Sequence, residues 1–203
     1  MTKITMIDYG ASNIRSAQKA FEFIGAEVEL TDDPAVVARG RKLVLPGVGA
    51  FGSGIGALRA RGLEEPIQAA VAQGVPLLGI CVGMQFLFDS SDEMGNHTGL
   101  GLIPGHVTRF VGQEMKVPHM GWNELEFAHD HPLLNGINQR DHAYFVHSYY
   151  CAPNDPAHTV ATADYERPFT AIVHRENVYG LQFHPEKSQR VGLRILRNYL
   201  AIG

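Results

Sequence analysis

The chain has 203 residues, of which 45% are hydrophobic and 19% are charged, and its formal net charge at pH 7 is −4. These values are typical of a globular protein with one sizeable core, so we expect a single domain over residues 1–203. The mild negative charge gives no reason to expect nucleic acid or a membrane as a partner. No apolar run approaches the roughly 20 residues of a membrane span, and the N-terminus lacks a signal-peptide pattern.

The first half of the chain alternates short apolar strands with amphipathic helices. We predict strands at residues 3–9, 28–30, 43–45 and 75–80, with helices between them and another from residue 84 onward. This alternation predicts an α/β fold with a parallel sheet covered by helices on both faces. Ligands of such sheets bind beyond the carboxyl ends of the strands. The loops at 10–13 and 46–54 and the turn at residue 81 are therefore expected to form one site.

The pattern changes after residue 89, where strands replace helices. Residues 90–98 are polar and are predicted to form a loop. Mixed and antiparallel strands are then expected to complete the same domain, and they are predicted at residues 106–111, 123–127, 143–150, 159–163 and 170–179. A last helix is predicted over residues 189–201, with Ser188 as its N-cap.

The turn after the fourth strand reads Gly79-Ile80-Cys81-Val82-Gly83. A G-x-C-x-G turn is typical of a nucleophile elbow, which lifts the central side chain out of the sheet. The flanking glycines remove Cβ atoms that would collide where strand and helix cross. The central cysteine would also stand at a helix N-terminus, where the dipole favours a thiolate. We therefore predict that Cys81 is a nucleophile, and the alternative is a small buried core residue.

The glycine-rich loop after the third strand allows two interpretations. Gly47, Gly49 and Gly52 match the G-x-G-x-x-G dinucleotide fingerprint, which usually follows a first strand and requires an acidic residue about 20 positions further on. Here the motif follows the third strand, and Glu64 and Glu65 fall at the start of a predicted helix. We therefore interpret the loop as a flexible backbone segment that aims N–H groups at a neighbouring reaction centre.

A nucleophilic thiol needs a base, and the base needs a group that orients it. Among ten histidines, His184 is distinguished by its place after the alternating segment 178–183 and before Pro185-Glu186. In an extended segment, residues i and i+2 face the same side, so His184 and Glu186 are expected to point together. We predict a triad of Cys81, His184 and Glu186; the alternative is a surface turn that caps the last helix.

Together these motifs resemble those of the class I glutamine amidotransferase family. The similarity covers nearly the whole chain and is carried by residues 46–49, 79–85 and 183–186. It implies hydrolysis of glutamine without a cofactor. No H-E-x-x-H motif or cysteine cluster indicates a metal site, and the two cysteines have no disulfide framework, which favours the reducing cytoplasm.

Four further stretches narrow the resemblance within this family. Residues 8–10, 117–123, 145–149 and 187–189, together with Asn13, are similar to the glutaminase subunits of imidazole glycerol phosphate synthase, an enzyme of histidine biosynthesis. Ser12 departs from the pattern, because the family usually has glycine at this position. This departure bears on the geometry of the first loop and leaves the chemistry unchanged.

The resemblance implies a role for each motif. Cys81 attacks the side-chain amide of glutamine, His184 transfers a proton to the leaving ammonia, and Glu186 holds His184. The other expected site residues stabilise the oxyanion or bind the amino-acid end of glutamine; they are Gly47, Val48, Gly49 and Val82 for the oxyanion, and Gln85, His147, Ser148 and Tyr149 for the substrate.

A second protein is expected, because a chain that stops at Gly203 has no room for a domain that uses the ammonia. By resemblance this partner is a (β/α)8-barrel cyclase, which forms a heterodimer and makes imidazole glycerol phosphate and an aminoimidazole-carboxamide ribonucleotide. We expect Asn13, Met120, Trp122 and Lys187 to lie at the partner face, around the exit for ammonia. Alternatively, Trp122 belongs to the core and Lys187 is an ordinary solvated charge.

Two other classes of function remain open from the residues. One is a different enzyme, either a Cys-His hydrolase or another class I amidotransferase such as an anthranilate or guanylate synthase subunit. The stretches at 118–123 and 187–189 argue against both of these enzymes. The other class is a regulatory or partner-binding subunit whose triad is silent.

Overall fold

The structure is a computed structural model that describes residues 2–112 and 116–203. A seven-stranded sheet lies at its centre. The strands are β1 (Lys3–Ile7), β2 (Glu27–Thr31), β3 (Leu43–Gly47), β4 (Leu77–Cys81), β5 (Phe88–Ser91), β6 (His97–Thr98), β7 (Ile103–Arg109), β8 (His119–Glu124), β9 (His142–His147), β10 (Tyr149–Pro153), β11 (Thr159–Asp164), β12 (Pro168–Arg175) and β13 (Val178–Leu181). The α-helices are α1 (Ile14–Phe23), α2 (Pro34–Ala38), α3 (Phe51–Ala60), α4 (Glu64–Ala72), α5 (Val82–Gln85) and α6 (Gln189–Ala201).

The central sheet has the strand order β11-β12-β13-β4-β3-β1-β2. Neighbouring strands from β13 to β2 pair in parallel, whereas β11, β12 and β13 pair in antiparallel. Strands β3 and β4 are buried along their whole length, as expected of central parallel strands with both faces covered. The predicted α/β fold, with antiparallel strands added by the second half of the chain, is confirmed.

Two smaller sheets complete the fold. One has the order β10-β7-β5-β6, and the other consists of the antiparallel pair β8 and β9. In the β8–β9 pair His119 lies directly opposite His147. Residues of all three sheets belong to one hydrophobic core, so the smaller sheets are packed onto the central one.

Helix α3 is not predicted by the sequence pattern, because it begins at Phe51 inside the segment interpreted as a loop. Its glycines lower helix propensity but permit close packing. A Cβ atom on Gly54 would lie 2.4 Å from the ring of Phe86, and one on Gly52 would lie 2.5 Å from the ring of His97. The glycines of this segment therefore serve tertiary contacts as well as the turn before it.

The region after Cys81 also differs from the prediction. Helix α5 has only four residues and ends at Gln85, and the predicted loop at 90–98 contains part of β5 and all of β6. Residues 86–88 are completely buried. A short, continuously apolar run does not distinguish a buried helix from a buried strand, which explains the wrong assignment.

The predicted strands of the second half are present with shifted ends. Strands β7 and β8 begin earlier than predicted, at Ile103 and His119. The strand predicted over residues 143–150 is divided at Ser148 into β9 and β10, which belong to different sheets. Such a change of partner depends on tertiary pairing and leaves no local signal in the alternation of apolar residues.

Helix α6 has the predicted bounds, and a buried lysine anchors its C-terminal end. The Lys42 ammonium group donates to the carbonyl oxygens of Tyr199 (3.1 Å) and Leu200 (3.0 Å), and also to that of Ile202. The hydroxyl of Tyr199 donates to the carbonyl oxygen of Leu43 at 2.7 Å. Burial lowers the pKa of Lys42. The first residues of β3 and the last turn of α6 are therefore held together by hydrogen bonds inside the protein.

Replacement of this lysine is expected to destabilise the fold. In Lys42→Met, the apolar stem stays while three carbonyl oxygens lose their charged donor, so the free energy of unfolding is expected to fall by about 2–3 kcal/mol. Urea unfolding measures the change. The control is Lys3→Met, since Lys3 is exposed and its ion pair with Glu29 lies on the surface; equal losses in the two variants would contradict this role of Lys42.

Candidate active site

The turn at Cys81 has the backbone strain that a nucleophile elbow requires. Cys81 ends β4 with φ +56° and ψ −115°, a conformation that residues with a side chain rarely adopt. A Cβ atom on Gly79 would lie 2.6 Å from the carbonyl oxygen of Gly83, as predicted for the crossing of strand and helix. A Cβ atom on Gly83 would instead lie 1.8 Å from the carbonyl oxygen of Leu45. The second glycine is therefore required by the adjacent strand β3.

The short helix α5 changes the expected electrostatics of the turn. Its N-cap is Cys81, but it has a single turn, so the support expected from a long helix dipole is limited to the first backbone N–H groups. The first of these N–H groups belongs to Val82, one of the residues expected to stabilise an oxyanion. Gln85 ends the helix, and its side chain is buried.

His184 and Glu186 are brought together as predicted, but by a different local structure. Nδ1 of His184 lies 2.9 Å from Oε1 of Glu186, and both side chains are almost completely buried. Strand β13 ends at Leu181, and residues Pro185–Lys187 form a 3-10 turn. The extended segment expected at 184–186 is therefore wrong, because the turn, and not strand alternation, places the carboxylate beside the ring.

Ser188 holds this turn onto strand β9. Its hydroxyl donates to the carbonyl oxygen of His184 at 2.7 Å and accepts from the amide of Tyr144 at 2.9 Å. Ser188 occupies the N-cap position of α6, as predicted, but its side chain makes no capping hydrogen bond. The amide of His184 in turn donates to the carbonyl oxygen of Tyr144 at 2.9 Å. The sequence pattern suggests capping, whereas the hydroxyl in fact fixes the position of His184.

His184 also interacts with Cys81, and the two residues line the same cavity. Burial opposes a charge on the ring, but hydrogen bonds with the side chains of Cys81 and Glu186 outweigh burial, so the pKa of His184 is raised. Because Nδ1 is held by Glu186, Nε2 is the nitrogen left to face the thiol. A proton held there is available to a leaving group at Cys81.

The loop at residues 47–49 lies beside the same thiol. Gly47 is paired with Cys81 in the β3–β4 register, and a Cβ atom on Gly47 would lie 2.4 Å from the amide nitrogen of Gly83. Gly49 has φ +93°, and nothing lies within 4 Å of the position of its absent Cβ. Only glycine tolerates both the close approach at 47 and the backbone angle at 49 without strain.

A cavity of about 290 Å³ opens onto Cys81 and His184. Of the residues expected to bind substrate or oxyanion, seven line it; they are Val48, Gly49, Val82, Gln85, His147, Ser148 and Tyr149. Gly47 lies outside this lining, on a second, smaller cavity that also touches Val48, His184 and Glu186. Val48 and His184 border both cavities and thus separate them.

The cavity also has a wall that the sequence pattern does not predict. Pro118, Val146 and Glu93 line it. Oε2 of Glu93 accepts the amide N–H of Phe51 at 2.6 Å, so its carboxylate occupies the N-terminus of α3. In a dinucleotide site that helix N-terminus would receive a pyrophosphate, which this carboxylate would repel. No motif links Glu93 to Cys81 in the sequence, because its place in the cavity depends on the pairing of β5 with β6.

Two buried histidines lie at the cavity: His147 belongs to its lining, and His119 contacts His147. Nδ1 of His119 is 3.0 Å from Nε2 of His147, and Nδ1 of His147 is 2.8 Å from the carbonyl oxygen of Tyr149. Burial lowers the pKa of His119 to about 4 and that of His147 to about 3, so both rings are neutral near pH 7.

Three of the four residues expected at a partner face lie together on the surface. The side chains of Met120 and Trp122 are 63% and 47% exposed, so Trp122 is not a core residue. Tyr144 joins them, with its ring 5.8 Å from that of Trp122 and 5.9 Å from the ammonium nitrogen of the exposed Lys187. Asn13 lies apart from this cluster, on the smaller cavity that also touches His184.

Within residues 2–112 and 116–203, no cluster of three or more histidine, cysteine or acidic side chains is placed to hold a metal ion. In the same part of the chain, no helix has the length and apolarity to cross a membrane. Both cysteines are buried free thiols.

The chain is similar to known proteins over nearly its whole length. The sequence profile described as glutamine amidotransferase class-I matches residues 5–202, and the chain belongs to this family. A solved structure described as glutamine amidotransferase aligns with a TM-score of 0.75 at 18% identity over 98% of this chain and 99% of that one. A glutamine amidotransferase from Thermotoga maritima aligns with a TM-score of 0.69 at 16% identity over 98% and 96%. Identities this low show the shared fold alone.

Relatives with higher identity carry one particular name. A protein of Syntrophotalea carbinolica is 53% identical over 202 residues, which cover 97% of this chain and 98% of the relative. A protein of Salinibacter ruber is 50% identical over 204 residues, which cover 98% and 94%. Both are named imidazole glycerol phosphate synthase subunit HisH. The chain is similar to these subunits over nearly its whole length.

The buried histidines predict a pH dependence of stability. An unfolded chain binds protons at histidine near pH 6.5, whereas folded His119 stays neutral down to about pH 4. The unfolded state therefore binds more protons in this window, and the free energy of unfolding falls as the pH is lowered through it. In His119→Asn, the slope is expected to be shallower by up to about 1.4 kcal/mol per pH unit.

Urea unfolding at several pH values measures this slope. His129→Asn is the control, because it replaces an exposed histidine by the same residue. If His119→Asn and the wild type have the same slope, His119 is not held neutral by burial.

Proposed function

We propose that the chain is the glutaminase subunit of an imidazole glycerol phosphate synthase, which hydrolyses glutamine and delivers ammonia to a partner subunit in histidine biosynthesis. The observation that carries this proposal is the strained Cys81 turn with the buried His184–Glu186 pair beside it. It occurs in a chain that is 53% and 50% identical to relatives named as subunits of this synthase.

In the first half-reaction, the Cys81 thiolate attacks the side-chain carbonyl carbon of glutamine, and the carbonyl oxygen becomes an oxyanion. His184 gives the proton on Nε2 to the amide nitrogen; the C–N bond then breaks, ammonia leaves, and a thioester remains on Cys81. Glu186 keeps Nδ1 protonated and stabilises the imidazolium. Each well-placed backbone N–H, from Val82 and from the loop at 47–49, contributes about 3 kcal/mol to stabilisation of the oxyanion.

In the second half-reaction, water attacks the thioester. His184 takes a proton from this water through Nε2, and the tetrahedral intermediate collapses as the C–S bond breaks. Glutamate leaves and the thiolate of Cys81 is restored. The same ring thus acts first as an acid toward ammonia and then as a base toward water.

The cavity walls suit the amino-acid end of glutamine. The carboxylate of Glu93 is the acidic group on the cavity and is suited to the α-ammonium group, while Gln85 and the backbone of residues 147–149 offer neutral hydrogen-bonding groups. This division of charge explains how the side-chain amide, rather than the α-amino end, is directed toward Cys81.

Ammonia must reach its acceptor before water protonates it, so we infer direct delivery to a docked partner. The exposed cluster of Met120, Trp122 and Lys187, together with Asn13 on the smaller cavity, is our choice for the docking face. A (β/α)8-barrel cyclase in a cytoplasmic heterodimer stays a prediction, as does the lyase reaction at its site. Copurification of the wild-type chain and identification of its partner test this point: an anthranilate or guanylate synthase subunit would contradict it.

Loss of the thiol is expected to separate the two activities of the complex. Cys81→Ala should lower glutamine hydrolysis by about 10⁴-fold or more, because no covalent intermediate forms. Turnover by the partner with free ammonia should remain. The control is Cys151→Ala, since Cys151 is buried on β10 and is not part of the lining of the cavity that opens onto Cys81. If the complex that contains Cys81→Ala loses ammonia-dependent turnover, Cys81 is an interface or structural residue. If a glutamine-like electrophile does not label Cys81 in the wild-type chain, a silent triad is favoured.

Removal of the charge on Glu93 is expected to weaken glutamine binding. Glu93→Gln keeps an oxygen that can accept the N–H of Phe51 but loses the ionic contact with the α-ammonium group. KM for glutamine should rise by about 10- to 100-fold, with a smaller change in kcat. Glu126→Gln, at an exposed position, is the control. Steady-state glutamate release measures both parameters, and an unchanged KM in folded Glu93→Gln would rule out this role.

A further inference from the structure

A chain of hydrogen bonds, buried where His119 meets His147, connects strand β8 with the substrate cavity. Nδ2 of Asn123 is 2.7 Å from the carbonyl oxygen of Asp164 and 3.2 Å from Nε2 of His119. His119 then contacts His147 at 3.0 Å, and His147 contacts the carbonyl oxygen of Tyr149 at 2.8 Å. Neither histidine ring takes part in the two half-reactions at Cys81.

The groups at the two ends of this hydrogen-bond chain determine which ring nitrogens of His119 and His147 carry a hydrogen. The carbonyl oxygen of Tyr149 can only accept, so Nδ1 of His147 carries a hydrogen. At the other end, Oδ1 of Asn123 accepts the amide of Glu124 at 2.8 Å, which fixes the amide orientation and leaves Nδ2 as the donor to His119. Nε2 of His119 is therefore bare, and its Nδ1 donates to Nε2 of His147.

This direction is consistent only with neutral rings. A charged His147 would present N–H groups on both nitrogens, and Nε2 would then face the N–H of His119. The burial of both rings, which are 4% and 6% exposed, also disfavours a charge. Each donor from Asn123 to Tyr149 is thus matched by one acceptor.

The hydrogen-bond chain ends on the carbonyl oxygen of Tyr149, which also orients the side chain of Gln85. Nε2 of Gln85 donates to the carbonyl oxygen of Tyr149 at 3.1 Å and to Oε1 of Gln182 at 3.3 Å. Both amide hydrogens of Gln85 are thereby used inside the protein, and the side-chain oxygen is the group available to a ligand in the cavity. A shift of the Tyr149 carbonyl would change where this oxygen points.

We propose that His119 and His147 are positioning residues for the glutamine substrate, which act through the Tyr149 carbonyl on Gln85. The inference rests on the proposed glutaminase function; it adds His119 to the expected substrate residues and gives the ring of His147 a role away from the reacting atoms. Met120 and Trp122 project from the outer side of β8, whereas His119 lies on its inner side. Strand β8 therefore carries both the docking face and the first part of the hydrogen-bond chain.

The test separates substrate positioning from general stability by comparing three variants in the complex with the partner. His119→Leu removes the donor to His147 and is expected to raise KM for glutamine about tenfold, with a smaller change in kcat. In His119→Asn, the amide nitrogen takes the place of Nδ1 and still donates to His147, so KM should stay within about threefold of wild type. His131→Leu is the matched control, since His131 also contacts a second histidine, His174 at 3.1 Å, away from the cavity.

Each result has a defined meaning. An unchanged KM in folded His119→Leu, or an equal rise in His131→Leu, would overturn the inference. Equal damage in His119→Leu and His119→Asn would also overturn it, because the retained donor would then have no effect. A wild-type complex that does not hydrolyse glutamine would refute the proposed function itself.

A second measurement decides the matter without enzyme activity, including the case in which His119→Leu does not fold. Ring ¹⁵N chemical shifts of the wild-type chain report which nitrogen of each histidine is protonated. We expect His119 and His147 to be neutral at pH 7 with the hydrogen on Nδ1. A hydrogen on Nε2 of either ring, or a second proton, would break the chain of donors and overturn the inference.

Discussion

The close backbone contact between the Cys81 turn and strand β3 is the constraint on which the site depends. At Gly83 the backbone approaches Leu45 so closely that a Cβ atom would lie 1.8 Å from its carbonyl oxygen. Since Gly47 is paired with Cys81, the same contact brings the backbone of the glycine loop beside the thiol. The Cys81 thiol and the N–H groups that would stabilise an oxyanion therefore share one rigid origin, the parallel pairing of β3 and β4.

The second half of the chain supplies the parts that the parallel sheet cannot provide. Strand β9 holds the turn that carries His184 through Ser188 and the backbone of Tyr144. Where the chain passes from β9 to β10, at Ser148, it changes sheet and lines the cavity. The site thus lies between the parallel strands β4 and β13, after which the thiol and the base follow, and the antiparallel strands that hold the base in place and supply much of the substrate cavity.

Local chemistry made part of this arrangement predictable. Glycines around Cys81, the periodicity of α1 and α6, and the spacing of His184 and Glu186 each report a local requirement, and the structure has all of them. Helix α3 is missed because its glycines serve contacts with residues distant in sequence. Glu93 is missed for a similar reason, since its partner Phe51 is 42 positions away. The expected contact between His184 and Glu186 is present, although a turn at 185–187 replaces the extended conformation from which it was predicted.

The left-handed backbone at Cys81 has a consequence for how such chains change over time. A side chain at this φ costs of order 1–3 kcal/mol, which glycine would not incur. A protein that had no use for the thiol could gain stability by a change to glycine at this position, and selection for stability would favour that change. A cysteine at a strained position in a buried turn is therefore a sign of use, and related chains that have lost activity should be checked first at residue 81.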